Sequence, residues 1–231
     1  MKELVDFFIE IGKLKRMPRR GWVINRIKNP ESIADHIFRT SVMVWILGEK
    51  KGLNREKLLK IILIHDLCEV YAGDITPYDR ILPKNKKKLA ELMRTWPRFS
   101  KSQKEKTEQE KYKKEWKALL KLTKNLAPKL KKEIKNLWLD YRKGLSKEGR
   151  FARQADKMEN LLQALEYWKK HKKPPLMPWW WWAREYFDDP VLLEFMECLD
   201  KKFLSSKKRK YLTSFKNNSK KTQNKGQKNA N

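Results

Sequence analysis

Only three histidines, two cysteines and eight glycines occur in the 231 residues. Cys68 and Cys198 are too few and too far apart for a disulfide framework or a cysteine metal knuckle, which favours a reducing, cytoplasmic setting. With glycine so scarce, no Gly-rich phosphate loop is present. No apolar run approaches the roughly 18 residues that a membrane span needs. Lys2, Glu3 and Asp6 interrupt the first apolar residues, which argues against a secretory leader. The alternation of a half-buried strand is missing at any useful length, so the expected fold class is all-α. Negative charge is also short: 28 Asp and Glu face 56 Lys and Arg, a formal charge of +28. A polyanion partner must therefore be considered.

The charge is unevenly spread. Eleven Lys or Arg and no acid lie from Lys201 onward, among Ser, Asn and Gln, which reads as a disordered basic tail over 205–231 behind a single helical domain over 1–204. The Lys-rich stretch from Lys84 to Lys135 has Glu, Tyr112 and Trp116 interleaved at helical spacing and reads as a solvated helix face. Four consecutive tryptophans, Trp179 to Trp182, cannot all face one core.

Apolar residues recur at three and four positions nearly throughout. Helices are expected from Glu3 to Lys15, from Ile33 towards Glu49 behind a capping box of Ser32 and Asp35, and after an Asn54 cap through Leu58 to Leu67 until Gly73. More follow at Lys84 to Met93, Lys104 to Leu122, Pro128 to Lys143, Arg150 to Lys170 and Pro190 to Phe203. Met17 to Pro30 and the Gly73 to Asp79 loop read as irregular.

Against that background His65-Asp66 and Glu69 stand out, because an apolar helix has no packing reason to carry them and burying them unpaired costs several kcal/mol. A divalent cation would compensate them, since imidazole and carboxylate hold such ions with water positions left open. On one continuous helix His65 and Glu69 would share a face one turn apart. His36, beside Asp35 on a neighbouring helix, can face them, and Asp156 on the inner stripe of a long helix is the candidate fourth ligand. His36 and Asp156 also have ordinary readings, as a core histidine and a salt-bridge partner.

These residues carry a resemblance. The histidine, the later His-Asp pair and the distant aspartate, with Pro18-Arg19-Arg20-Gly21-Trp22-Val23, Pro30-Glu31-Ser32-Ile33-Ala34-Asp35-His36, Gly73-Asp74-Ile75-Thr76-Pro77 and Gln154-Ala155-Asp156, resemble the HD-domain metal-dependent phosphohydrolases. More narrowly, they resemble the 5′-deoxynucleotidases of the HD domain-containing protein 2 group. The resemblance spans about Leu4 to Phe203. It implies an all-helical, commonly dimeric enzyme that removes phosphate from deoxyribonucleoside 5′-monophosphates. It makes His36, His65, Asp66 and Asp156 ligands of one divalent cation, with Mn, Co, Fe, Ni, Zn and Mg all open. It gives Glu69 proton transfer, Asp74 a contact with substrate or water, Trp22 the sugar, and Thr76 a substrate contact. The phosphate arginine is Arg19 or Arg20, since Gly21 here separates the pair from Trp22. Two alternatives stay open: a cyclic or polyphosphorylated nucleotide substrate, and a basic nucleic-acid-binding protein on an HD scaffold.

Overall fold

The computed structural model describes residues 1–95, 99–172, 180 and 183–204. The described residues fall into two compact units that divide after Leu192. The expected basic tail lies outside the described residues, as do Trp179, Trp181 and Trp182. Among the described residues the structure is helical with no strand, only an isolated bridge between Pro18 and Ser32.

The helices are α1 (Lys2–Gly12), α2 (Arg20–Ile24), α3 (Ile33–Lys50), α4 (Arg55–His65), α5 (Glu69–Ala72), α6 (Lys86–Thr95), α7 (Lys101–Leu122), α8 (Pro128–Lys143), α9 (Lys147–His171) and α10 (Pro190–Phe203), with a 3₁₀ turn at Lys13–Arg16. Their ends follow local chemistry. Ser32 accepts from the Asp35 backbone N–H at 3.1 Å while Asp35 accepts from the Ser32 N–H at 2.8 Å, a complete capping box. Asn54 caps α4 through Lys57 N–H at 3.0 Å. α8 opens with Pro128, whose missing N–H costs nothing there, and closes on Gly144 at φ 61°, a left-handed cap that glycine adopts without strain.

Two expectations need correction. Met17 to Pro30 is not wholly irregular, because Arg20–Ile24 makes one helical turn. The helix through His65 does not run on to Gly73: it stops at His65, with Asp66 at φ −110°, ψ 7°. The chain then tightens into bonds three residues apart, Leu67 to Ile64 at 3.1 Å and Glu69 to Asp66 at 3.0 Å, before α5 begins. In such a turn side chains at i and i+3 eclipse, so Asp66 and Glu69 come onto one side. α4 turns Leu58, Ile61, Ile62 and His65 inward, while Leu63 is half exposed.

α3 packs on α4 and α9, and α4 packs on α8 and α9. Leu58, Ile61 and Ile62 are fully buried, each worth about 1.5–3 kcal/mol on burial. Close crossing of α8 and α9 depends on Gly149, where a Cβ would fall 2.6 Å from the Asp140 carbonyl oxygen. This bundle brings the ends of α3 and α4, the middle of α9 and the loops around α2 and α5 to one place.

Candidate functional site

His36 comes from the first turns of α3, His65 from the last residue of α4, and Asp156 from the middle of α9. All three are buried, and a ligand atom of each lies within 4.8 Å of the others. His36 Nε2 is 3.2 Å from Asp156 Oδ1 and 3.8 Å from Asp66 Oδ2, and His65 Nε2 is 3.1 Å from the same Asp66 oxygen. The four sequence-predicted ligands are thus brought together.

Each histidine is oriented from behind. His65 Nδ1 lies 2.6 Å from the Ile62 carbonyl oxygen, which can only accept, so Nδ1 carries the proton and Nε2 a lone pair in the neutral ring. His36 Nδ1 hydrogen-bonds to the buried Glu159 carboxylate. Both Nε2 atoms are buried, and apart from the Asp66 and Asp156 carboxylates beside them neither has a hydrogen-bond partner. Two buried imidazole nitrogens converging on two carboxylates, with no partner outside the cluster, are what a divalent cation would satisfy, so the donor set fits one.

The carboxylates are steered as well. Asp156 Oδ2 accepts from Tyr141 Oη at 2.5 Å and from Lys157 Nζ at 2.9 Å, while Oδ1 faces His36 and takes Asn160 Nδ2 at 3.1 Å. Burial would raise the Asp156 and Asp66 carboxyls, but the surrounding lysine, arginine and histidines more than offset it, and both are held well below the usual range. Burial and Arg19 oppose a proton on His36, yet Glu159 and Asp156 outweigh them and push it up to about 9 in the metal-free chain.

Beside this cluster opens a cavity of about 360 Å³ lined by Arg19, Trp22, Glu69, Asp74 and Thr76, among others. Arg19 sits inside it, with Nη1 3.1 Å from Asp66 and 3.9 Å from Glu69, and Nη2 3.1 Å from Asn160 Oδ1. Burial disfavours its charge, but Asp74, Asp66, Glu69 and Asp156 raise it well above its ordinary value. Arg20 turns away to Asp79, at 2.8 Å, and is half exposed. Its backbone N–H donates to Asp74 at 2.7 Å, which ties the 73–79 loop to the start of α2. Thr76 lines the cavity with its hydroxyl bonded to Asp79 at 2.9 Å. Glu69 is buried, and burial first, then Asp66 and Asp74, push its carboxyl well above the usual range.

Trp22 is both cavity wall and core. Its indole N–H donates to Glu31 at 2.8 Å, and its ring meets Tyr167 edge-on at 5.3 Å. Sequence reasoning missed Glu159, Arg39, Tyr141, Asn160 and Lys111. Lys111 lay in the stretch read as a solvated face, yet it lines the cavity and donates to the Ile75 carbonyl at 3.0 Å. A usable signal existed for Arg39 and Glu159: each follows a predicted ligand by three residues on the same helix face.

A family model described as HD domain matches residues 11–177. The 5′-deoxynucleotidase HDDC2 of Xenopus laevis is 34% identical over 173 residues, 75% of this chain and 73% of the relative. The Danio rerio protein of the same name is 31% identical over 201 residues, 87% and 88% of the two chains. Among solved structures, a conserved hypothetical protein from Pyrococcus furiosus is similar with a TM-score of 0.61 and 29% identity, covering 85% of this chain and 99% of the other. The His, His-Asp and Asp cluster lies within the matched span, and the chain belongs to the HD domain family, with proteins named 5′-deoxynucleotidase HDDC2 among its relatives.

Proposed function

We propose that the protein is a metal-dependent phosphomonoesterase that removes phosphate from deoxyribonucleoside 5′-monophosphates. The observation that carries this reading is the convergence of the buried Nε2 atoms of His36 and His65 on the Asp66 and Asp156 carboxylates, with no partner outside that cluster, beside an arginine-bearing cavity. The names of the relatives supply the substrate class.

In this reading His36, His65, Asp66 and Asp156 hold one divalent cation, which when bound lowers the pKa of water from 15.7 to about 7 and offsets phosphoryl charge. Arg19, whose planar fork suits two phosphate oxygens, receives the phosphate. Arg20 is left to brace Asp79 and the 73–79 loop. Glu69 moves the proton, a role suited to a buried carboxyl whose hold on its proton is strengthened by burial and by Asp66 and Asp74. Asp74 fixes the Arg19-Arg20 backbone and completes the acidic wall, Thr76 holds the cavity rim, and Trp22 closes the sugar side. Any of Mn, Co, Fe, Ni, Zn or Mg suits such oxygen and nitrogen ligands, so availability selects among them.

The catalytic domain spans 1–204 in this proposal, with 205–231 as a basic extension that contacts polyanions. A homodimer is supported by the outer stripe of α3, where Phe38, Val42, Trp45 and Ile46 recur at helical spacing and Phe38 is 71% exposed. Among the described residues no helix is long and apolar enough to cross a membrane. Two free cysteines, one of them buried, are in keeping with a cytoplasmic setting.

Phosphate release from matched deoxyribonucleoside and ribonucleoside 5′-monophosphates, with cyclic nucleotides and triphosphates alongside, tests the proposal across a set of divalent cations. Release from deoxyribonucleoside monophosphates is expected. Turnover of cyclic or triphosphate nucleotides alone would reassign the substrate, and no turnover with any cation would overturn the enzymatic reading.

A further inference from the structure

Behind His36, on the side away from the cavity, a chain of charged side chains runs from the buried Glu159 out to the surface, and the proposed reaction does not use it directly. Glu159, on α9 one turn beyond Asp156, is completely buried and divides its two oxygens: Oε2 takes His36 Nδ1, and Oε1 takes Arg39. Arg39 approaches Oε1 with both Nε, at 2.8 Å, and Nη2, at 2.6 Å. Its remaining contacts reach Gln163 at 2.6 Å and Glu166 at 2.7 Å. A carboxylate with both oxygens engaged and a two-bonded guanidinium behind it cannot swing, and a ring that donates Nδ1–H to it must present Nε2 forward.

We infer that Glu159, clamped by Arg39, is a positioning residue that fixes the tautomer and direction of His36 and so sets the affinity of the cation site. The inference rests on the ligand reading under Proposed function. A carboxylate behind a ligating imidazole raises its basicity as well as aiming it, and losing such a partner costs about 10- to 100-fold in metal affinity. His65, by contrast, has only a backbone carbonyl behind it. The two histidines are therefore unequal: His36 depends on a side chain that substitution can remove, and His65 does not.

A simple structural strut between α3 and α9 would use the same Arg39–Glu159 contact, so the test must read the imidazole. Zn²⁺ affinity is measured by chelator competition on the full chain, together with ¹⁵N-histidine spectra, which only three histidines make assignable. Glu159→Gln should weaken Zn²⁺ binding about 10- to 100-fold and shift the His36 Nδ1 resonance while leaving that of His65 in place. Arg39→Met, which keeps the carboxylate and frees it, should give a smaller loss in the same direction. Glu166→Gln removes another Arg39 partner without touching Glu159 and should leave affinity within about twofold of wild type. Wild-type affinity and an unmoved His36 resonance in Glu159→Gln overturn the inference, and if that variant does not fold, wild-type affinity in Arg39→Met does so. His65→Ala separates the two readings: if it also keeps Zn²⁺ the ligand assignment is wrong, whereas if it alone loses Zn²⁺ only the role of Glu159 falls.

Discussion

His65 gives its Nδ1 proton to the carbonyl of Ile62, three residues back on its own helix, at 2.6 Å. The bond lies at the end of α4, where carbonyl oxygens lack helical partners, so the helix terminus itself orients the imidazole. The next residue, Asp66, leaves helical geometry and places Oδ2 3.1 Å from the Nε2 atom thus freed.

The first prediction follows from that pairing. His65→Ala or Asp66→Ala should remove cation binding and phosphatase activity together, while circular dichroism stays helical because the surrounding core of Leu58, Ile61 and Trp138 is untouched. Stoichiometric metal in both purified variants would sink the ligand assignment.

Acidity should oppose the cation. Glu159 and Asp156 push His36 up to about 9 in the metal-free chain, so near pH 7 its Nε2 carries a proton that the cation must displace. A histidine raised above its unfolded value of about 6.5 contributes stability that is fully present below 6.5 and is lost as pH climbs through 9. Cation affinity runs the opposite way, rising with pH up to about 9. Calorimetry in buffers of different ionisation enthalpy should show close to one proton released per cation at pH 7, and no buffer dependence would count against the assignment.

Glu69→Gln should leave cation and nucleotide affinity near wild type and lower kcat by about 10²-fold or more, the usual scale for a lost proton-transfer group. A variant that turns over at the wild-type rate across the pH profile would leave Glu69 as a buried partner of Arg19 and nothing more.

How far these sites could be read in advance depended on the kind of signal. The cap of Ser32 and Asp35 and the Pro128 start are written locally, and the structure keeps them. That His36, His65, Asp66 and Asp156 come together was legible because polar ligand types in apolar helix faces need an explanation. The break at Asp66 was not, since no glycine or proline marks it: tertiary contacts with Arg19 and the two histidines hold it open, and the apolar pattern continues across it. Five residues of α2 are too few to show a period. Lys111 was hidden among many lysines, and only packing distinguishes it from those facing water.

The choice between the two arginines, open in the sequence, has a structural answer to test. Arg19 lies inside the cavity against Asp66 and Asn160, and Arg20 braces Asp79 outside it. Arg19→Ala should raise KM for nucleotide by about tenfold or more, because a charge-assisted pair to phosphate is worth about 1.5–3 kcal/mol. It should also unbalance the acidic wall, so Arg19→Lys serves as the milder control, restoring charge without the fork. Arg20→Ala should stay within about threefold of wild type, as expected for an exposed ion pair. The reverse order of effects would exchange their roles.

Sugar selectivity should rest on Trp22. The indole cannot yield to an added hydroxyl, because Glu31 holds its N–H at 2.8 Å and Tyr167 backs its ring at 5.3 Å. A ribose 2′-hydroxyl placed against it must clash or be buried without a hydrogen-bond partner, at about 1–3 kcal/mol. That corresponds to discrimination of about ten- to a hundredfold, or slightly more, in favour of the deoxyribonucleotide. Trp22→Ala should narrow the gap by improving the ribonucleotide relative to its deoxy counterpart, even as both lose affinity with the packing. The core around Ile27 and Ala164 also loses its largest member, so Trp22→Phe, which keeps most of the volume but not the indole N–H, separates wall from pillar. Measured kcat/KM for matched nucleotide pairs decides it: a ratio unchanged in both variants returns Trp22 to the core alone and leaves the preference to another wall of the cavity.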